Sequence, residues 1–335
     1  VDGAQDFAVR IRRHIIDASR RGLGDRVPAL ASLRTGPRDL AAGAASFLIV
    51  LAVLLHVLVG SQLARTVPAD RTVARSTAAG ATVLVPGELE PRRDVSLTRT
   101  RRIDPTPAPV ADVDAYVVST STRLADGTFA GRDRWAGVQE QVTGRVVESP
   151  VNSELVTTLD ANGSSVEERR PLRGMSGVLL RFPRDTPARD QTRWDPVART
   201  VGVARFVDES QVEGRRVLVL AQRSDATDDG VQTAADTTLW VRPETGAVVK
   251  EDLRVVVRAA DGTVVLDARF VDDDASVRRA SAAVDRAVDR EHVLGTIVPA
   301  MILVLGIMGA LVAVLVGRTG RLDSPRRRGQ PEEAQ

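Results

Sequence analysis

A chain of 335 residues with 46 basic and 44 acidic side chains carries a formal net charge of +2, too even a balance to follow a nucleic-acid backbone. It contains no cysteine, which excludes disulfides, thiolate metal sites and cysteine nucleophiles. The three histidines, His14, His56 and His292, lie outside the long middle region and leave it without imidazole chemistry.

Residues 1–39 are polar and Arg-rich. Phe7, Ile11, Ile15 and Ala18 fall on one helical face and Arg10, Arg13, Arg20 and Arg21 on the other, the pattern of a helix lying on an anionic membrane or of a solvated tail. Residues 40–60 hold no charge, and this stretch reads as a first transmembrane helix rather than a cleaved signal peptide. The polar run 64–80 reads as a stalk.

Beyond it, short β-rich runs alternate with turn residues: 82–85, 94–100, 115–123, 145–148, 177–182, 200–207, 216–222, 237–242, 248–258 and 263–271. Asp126-Gly127, Asn162-Gly163, Glu213-Gly214, Thr245-Gly246 and Asp261-Gly262 supply the positive φ angles of tight hairpins. Residues 61–275 therefore read as an antiparallel β-rich domain whose last four strands form a meander. The segments 123–135 and 258–270 share Arg, Ala-Asp-Gly-Thr, a second Arg and an aromatic at equal offsets; a recurring local turn explains this better than a duplicated lobe.

From Ser276, the expected N-cap, the period becomes helical, with Val277, Ala280, Val284 and Val288 on one stripe. This juxtamembrane helix, 276–292, runs into the uncharged stretch 293–317, whose length of about 37 Å as a helix exceeds a hydrocarbon core of about 30 Å. Arginine density is higher in the tails 1–39 and 318–335 than between the spans, which favours cytoplasmic termini and an outer central domain in the plasma membrane. Residues 318–335 read as a stop-transfer cluster followed by a disordered end.

No catalytic constellation emerges. Gly174-Met175-Ser176-Gly177 lacks the spacing of a nucleophile elbow, and the sole lysine, Lys250, sits among charged strand residues as expected of a surface group. Neither Asp272-Asp273-Asp274 nor the group Asp225, Asp228 and Asp229 has calcium-loop spacing, so no metal or cofactor is expected. His56 and His292 flank the spans and read as membrane-interface residues.

Three stretches carry a resemblance: GVLLRFPRDTPARDQTRWDP at 177–196, VEGRRVLVLAQ at 212–222 and LWVRPETGAVV at 239–249. In this order between two spans they resemble the actinobacterial PorA-like membrane proteins, the porin PorA domain family, over about residues 40–318. The resemblance implies channel formation and brings no catalytic residues.

The expected fold is an α+β membrane protein with an antiparallel β-rich extracytoplasmic domain between two transmembrane helices. The expected function is non-enzymatic: binding or guiding a lipid or glycolipid in the cell envelope, with an oligomeric channel or a scaffold for envelope enzymes as alternatives. Phe182, Pro183, Trp194 and Asp195 are the expected ligand-binding residues, because aromatics beside arginines suit an amphiphile. The expected partners are membrane lipids or an envelope glycolipid, further copies of the chain or envelope proteins, and no nucleic acid.

Overall fold

Twelve strands build the domain: β1 (Thr72–Val83), β2 (Arg92–Thr106), β3 (Val113–Leu124), β4 (Phe129–Glu140), β5 (Ser153–Leu159), β6 (Ser165–Pro171), β7 (Gln191–Asp195), β8 (Thr200–Val212), β9 (Arg215–Asp228), β10 (Val231–Arg242), β11 (Ala247–Arg258) and β12 (Val264–Asp272). They come from a computed structural model that describes residues 37–54, 72–109, 113–159 and 165–319. The sheet order is β6-β5-β4-β3-β2-β1-β12-β11-β10-β9-β8-β7, antiparallel throughout. Each neighbour follows its partner in sequence except at the β1–β12 seam, so hairpins set nearly every register.

Residues 72–80, expected as part of a stalk, instead join the expected β run from residue 82 in the first strand. Its inward positions, Ser76, Ala78, Ala81 and Val83, are small, so packing rather than bulk drives their burial and the usual apolar alternation is muted. Isolated bridges through the segments around 145–146 and 178 link β4 to β7, the strand at the far edge of the sheet. Gln139 of β4 pairs with Val146, Arg145 with Val178, and Val178 with Arg193 of β7. Trp135 of β4 and Trp194 of β7 meet edge to face, ring centroids 5.3 Å apart, across this link.

Alternation assigns the two faces. Leu97, Arg99, Arg101 and Ile103 of β2 share one face with Val249, Glu251, Leu253 and Val255 of β11. Arg102, Asp104, Asp252, Arg254 and Arg269 occupy the intervening positions. Lys250 stands there too, its ammonium 4.6 Å from the ring of its cross-strand neighbour Trp240.

The repeated Ala-Asp-Gly-Thr motif makes the same turn twice. Asp126 accepts from the Thr128 N–H at 2.8 Å, and Asp261 from the Thr263 N–H at 2.9 Å. Trp135 and Phe270, at equal offsets, are both buried. Asp228 and Asp229, read as part of an acidic loop, end β9 and open a tight turn in which Asp229 and Gly230 both have positive φ.

Gly246, in the turn between β10 and β11, has φ +70, and its carbonyl accepts the Phe182 N–H at 2.8 Å. A Cβ there would stand 1.9 Å from the Phe182 carbonyl oxygen. Gly246→Ala is expected to cost at least about 3 kcal/mol, combining left-handed strain with displacement of the 182–183 segment. Gly127→Ala, with φ +87 but open space around the added carbon, is expected to cost only the strain term of about 1–2 kcal/mol. Thermal unfolding of both variants decides it: equal losses would contradict the close approach.

Helix α1 (Pro37–Leu54) precedes the strands in sequence, and helix α2 (Asp274–His292) follows β12. The N-cap of α2 is Asp273, not Ser276; its carboxylate accepts the Ser276 N–H at 2.6 Å. Ser276 instead fastens the helix to the sheet, its hydroxyl accepting the Arg75 N–H at 2.8 Å. Five π-helical residues, Val293–Ile297, lead to α3 (Val298–Thr319). The Val298 N–H bonds the Val293 carbonyl, a wider turn that accommodates Pro299, which has no N–H to donate.

Among the described residues one helix is long and apolar enough to cross a membrane, with mean hydropathy 2.3. Of the first expected span, 40–60, the structure describes a helix as far as Leu54, and residues 55–60 lie outside the described residues. The chain divides into two units, 55–299 and the two terminal segments 1–54 and 300–335; the site described next belongs wholly to the first.

Candidate functional site

The inner face of the sheet and one side of α2 enclose a chamber of about 630 Å³. Such a volume falls within the range of small-molecule pockets, about 300–1,000 Å³. Its apolar wall includes Ile103, Val118, Trp135, Leu180, Leu239 and Val248. A second chamber of about 700 Å³, walled by Leu253, Val255, Val257, Leu266 and Phe270, lies on the same inner face. Arg99, Thr120, Asp133, Pro196 and Val197 line both, so the two adjoin.

Charge is concentrated in the first chamber, and Arg99 and Asp133 carry it to the second. Glu251 accepts from Arg99 at 3.0 Å and pairs with Arg101, and its own backbone N–H donates to Asp272 at 2.8 Å. Burial alone would raise the Glu251 carboxyl; Arg101, Arg99 and Arg193 outweigh it and hold it at about 2. Asp272 goes the other way: burial, reinforced by Glu251, pushes it up to about 6 against the pull of Arg101. Burial also raises Asp133, which Arg199 faces at 3.4 Å. Arg193, whose pKa burial lowers, donates to the Gln222 side chain at 2.8 Å.

The Asp272 shift fixes a pH dependence. A folded pKa near 6, above the unfolded 3.8, means that this group's stabilisation is complete below pH 3.8 and is lost as pH rises through 6. Asp272→Asn keeps an oxygen for the Glu251 N–H and removes the titration. It is expected to raise stability at pH 7.5 by up to about 3 kcal/mol. Thermal melts of the variant and the native chain at pH 7.5 and pH 5 check this, and a variant less stable at both pH values would contradict it.

The residues expected at the ligand site stand behind the chamber wall. Phe182 is fully buried against Val178, Ala204 and Leu220, and Trp194 is locked against Trp135. Asp195 accepts the Val197 N–H at 2.8 Å and the Ala198 N–H at 3.3 Å, which shapes the turn before β8. The Pro183 carbonyl accepts from the Thr186 hydroxyl, closing a local turn. None of the four lines the chamber, but their neighbours Arg193, Pro196 and Val197 do. His292 is exposed in the last turn of α2, and His56 lies outside the described residues.

The chamber residues missed in the sequence carry one legible signal. Arg99 and Arg101 alternate in step with Leu97 and Ile103, so the strand's apolar face already contained them. The link between β4 and β7 leaves no periodic trace, because it rests on single bridges at Arg145, Val146 and Val178.

A family model described as Porin PorA matches residues 40–315. The chain belongs to the porin PorA family. With its apolar helix, this PorA-family chain is a membrane protein. Among curated proteins, none matches it. Among solved structures, Aeromonas veronii immune modulator A is similar at 9% identity, covering 64% of this chain and 98% of that one, with a TM-score of 0.13 that carries no argument about fold or function.

Proposed function

We propose that this PorA-family protein is a non-enzymatic cell-envelope protein whose β domain holds an amphiphile, a lipid or glycolipid, in its paired chambers. In this reading residues 40–60 form a second span, both termini are cytoplasmic and the β domain is extracytoplasmic. The observation that carries it is the apolar wall of the chambers around a fixed charged network, which suits a ligand with an apolar chain and a polar head. Each methylene moved from water into such a wall contributes about 0.8 kcal/mol, so a chain of ordinary lipid length binds without covalent chemistry.

Family membership favours a second reading, an oligomeric channel. The sheet gives it little support as a membrane-crossing barrel, because its outer face carries Arg102, Asp252, Arg254 and Arg269 where lipid requires apolar residues. Nor does α3 offer a polar stripe, since 298–317 holds no hydrogen-bonding side chain to line a water-filled path.

The test is lipid retention. Full-length protein released from detergent micelles in native mass spectrometry is expected to keep one lipid-sized adduct. A bare chain that conducts ions in planar bilayers would favour the channel instead.

A further inference from the structure

The mouth of the first chamber differs in charge from its interior. Three arginines of α2, Arg278, Arg279 and Arg286, line it and are exposed. The small residues Ala280, Ala282 and Ala283 on the same helix also face it and add little bulk. Arg279 donates to the Ser276 hydroxyl at 2.8 Å, whereas Arg278 and Arg286 have no hydrogen-bond or ion-pair partner among the described residues.

Two acids of α2 are already engaged with arginines of the β domain. Asp285 holds Arg242 at 3.0 Å and Arg215 at 3.6 Å, and Glu291 pairs with Arg184. Besides the three arginines of α2, the chamber is lined by Arg99, Arg101 and Arg193, which are matched inside by three carboxylates, Asp133, Glu251 and Asp272, Glu251 being shared by two guanidinia. Asp285 and Glu291 thus tie the helix to the β domain, while three of its arginines stand at an opening with an apolar interior behind them.

We infer that this mouth seats an anionic, phosphate-type headgroup, with the attached apolar chain inside. The inference rests on the amphiphile reading and adds the charge class of the ligand and the residues that select it. Guanidinium groups bind phosphate oxygens through paired N–H donors, which makes three of them around an opening selective for an anion over a zwitterion. A free phosphate would engage the same groups without using the apolar wall.

The experiment offers full-length protein a micelle with equal amounts of phosphatidylglycerol, phosphatidylcholine and diacylglycerol, and reads retained lipids by native mass spectrometry. The native chain is expected to retain phosphatidylglycerol about tenfold over either competitor, equivalent to about 1.4 kcal/mol. The triple variant Arg278→Gln, Arg279→Gln, Arg286→Gln is expected to lose that preference, and the corresponding triple lysine variant to keep part of it. Unchanged tryptophan fluorescence in both variants confirms the fold.

Equal retention of all three lipids by the native chain overturns the inference while leaving lumenal binding intact. A preference that survives the glutamine variant overturns the role of these arginines. No retained lipid at all overturns the reading on which the inference rests. Displacement of phosphatidylglycerol by millimolar inorganic phosphate overturns the lipid headgroup as the occupant.

Discussion

Replacing Glu251 by glutamine is expected to destabilise the β domain by about 3–5 kcal/mol, the usual consequence of removing one partner from a buried ion pair. The carboxylate sits between Arg99 and Arg101 with 7% side-chain exposure, so its loss leaves two guanidinia buried side by side with Arg193 near them. Against a typical domain stability of about 5–15 kcal/mol, the loss is a large fraction of the whole. The Trp135–Trp194 pair reports it directly, because its edge-to-face contact joins β4 to β7. The pH response separates this effect from general damage. A folded pKa of about 2, below the unfolded 4.5, means that the Glu251 contribution is present above pH 4.5 and is lost as pH falls towards 2. The native chain is therefore expected to weaken below pH 4.5 more steeply than Glu251→Gln. Parallel acid limbs would contradict the assignment.

The second large effect concerns the chamber. Ala283 lies on α2 and faces the cavity, so Ala283→Trp projects an indole into space the ligand needs while leaving the sheet's own packing untouched. An indole displaces several methylenes at about 0.8 kcal/mol each, and lipid affinity is expected to fall at least about a hundredfold, or 2.7 kcal/mol. Tryptophan is tolerated in a helix at a cost of about 0.5 kcal/mol, so unfolding is not expected. The cavity shrinks and the melt stays close to native. A variant that melts normally and binds lipid at full affinity would place the ligand elsewhere.

Much of the architecture is legible before any coordinates. The uncharged run at 293–317 announces a helix long and apolar enough to cross a membrane, and the glycine turns at 127, 214, 246 and 262 all take the positive φ their dipeptides announce. Two features resist for physical reasons. β1 hides because its inward residues are small, so a strand of the sheet looks like a polar linker. The interior charge hides because Arg99, Arg101 and Glu251 satisfy one another across 152 and 150 residues of chain, a pairing that no local pattern contains. Aromatic residues misled in the opposite sense: Phe182 and Trp194 look like contact residues beside arginines, yet both are spent on packing the core. Their neighbours inherit the exposure. Two residues along, Pro196 stands on the wall of both chambers.

The most direct measurement of the account's central claim compares native masses of the full-length chain and Ala283→Trp, each released from the same detergent. The account predicts a lipid-sized mass on the native chain and a bare variant with an unchanged thermal midpoint. A lipid carried equally by both, or by neither, would contradict it.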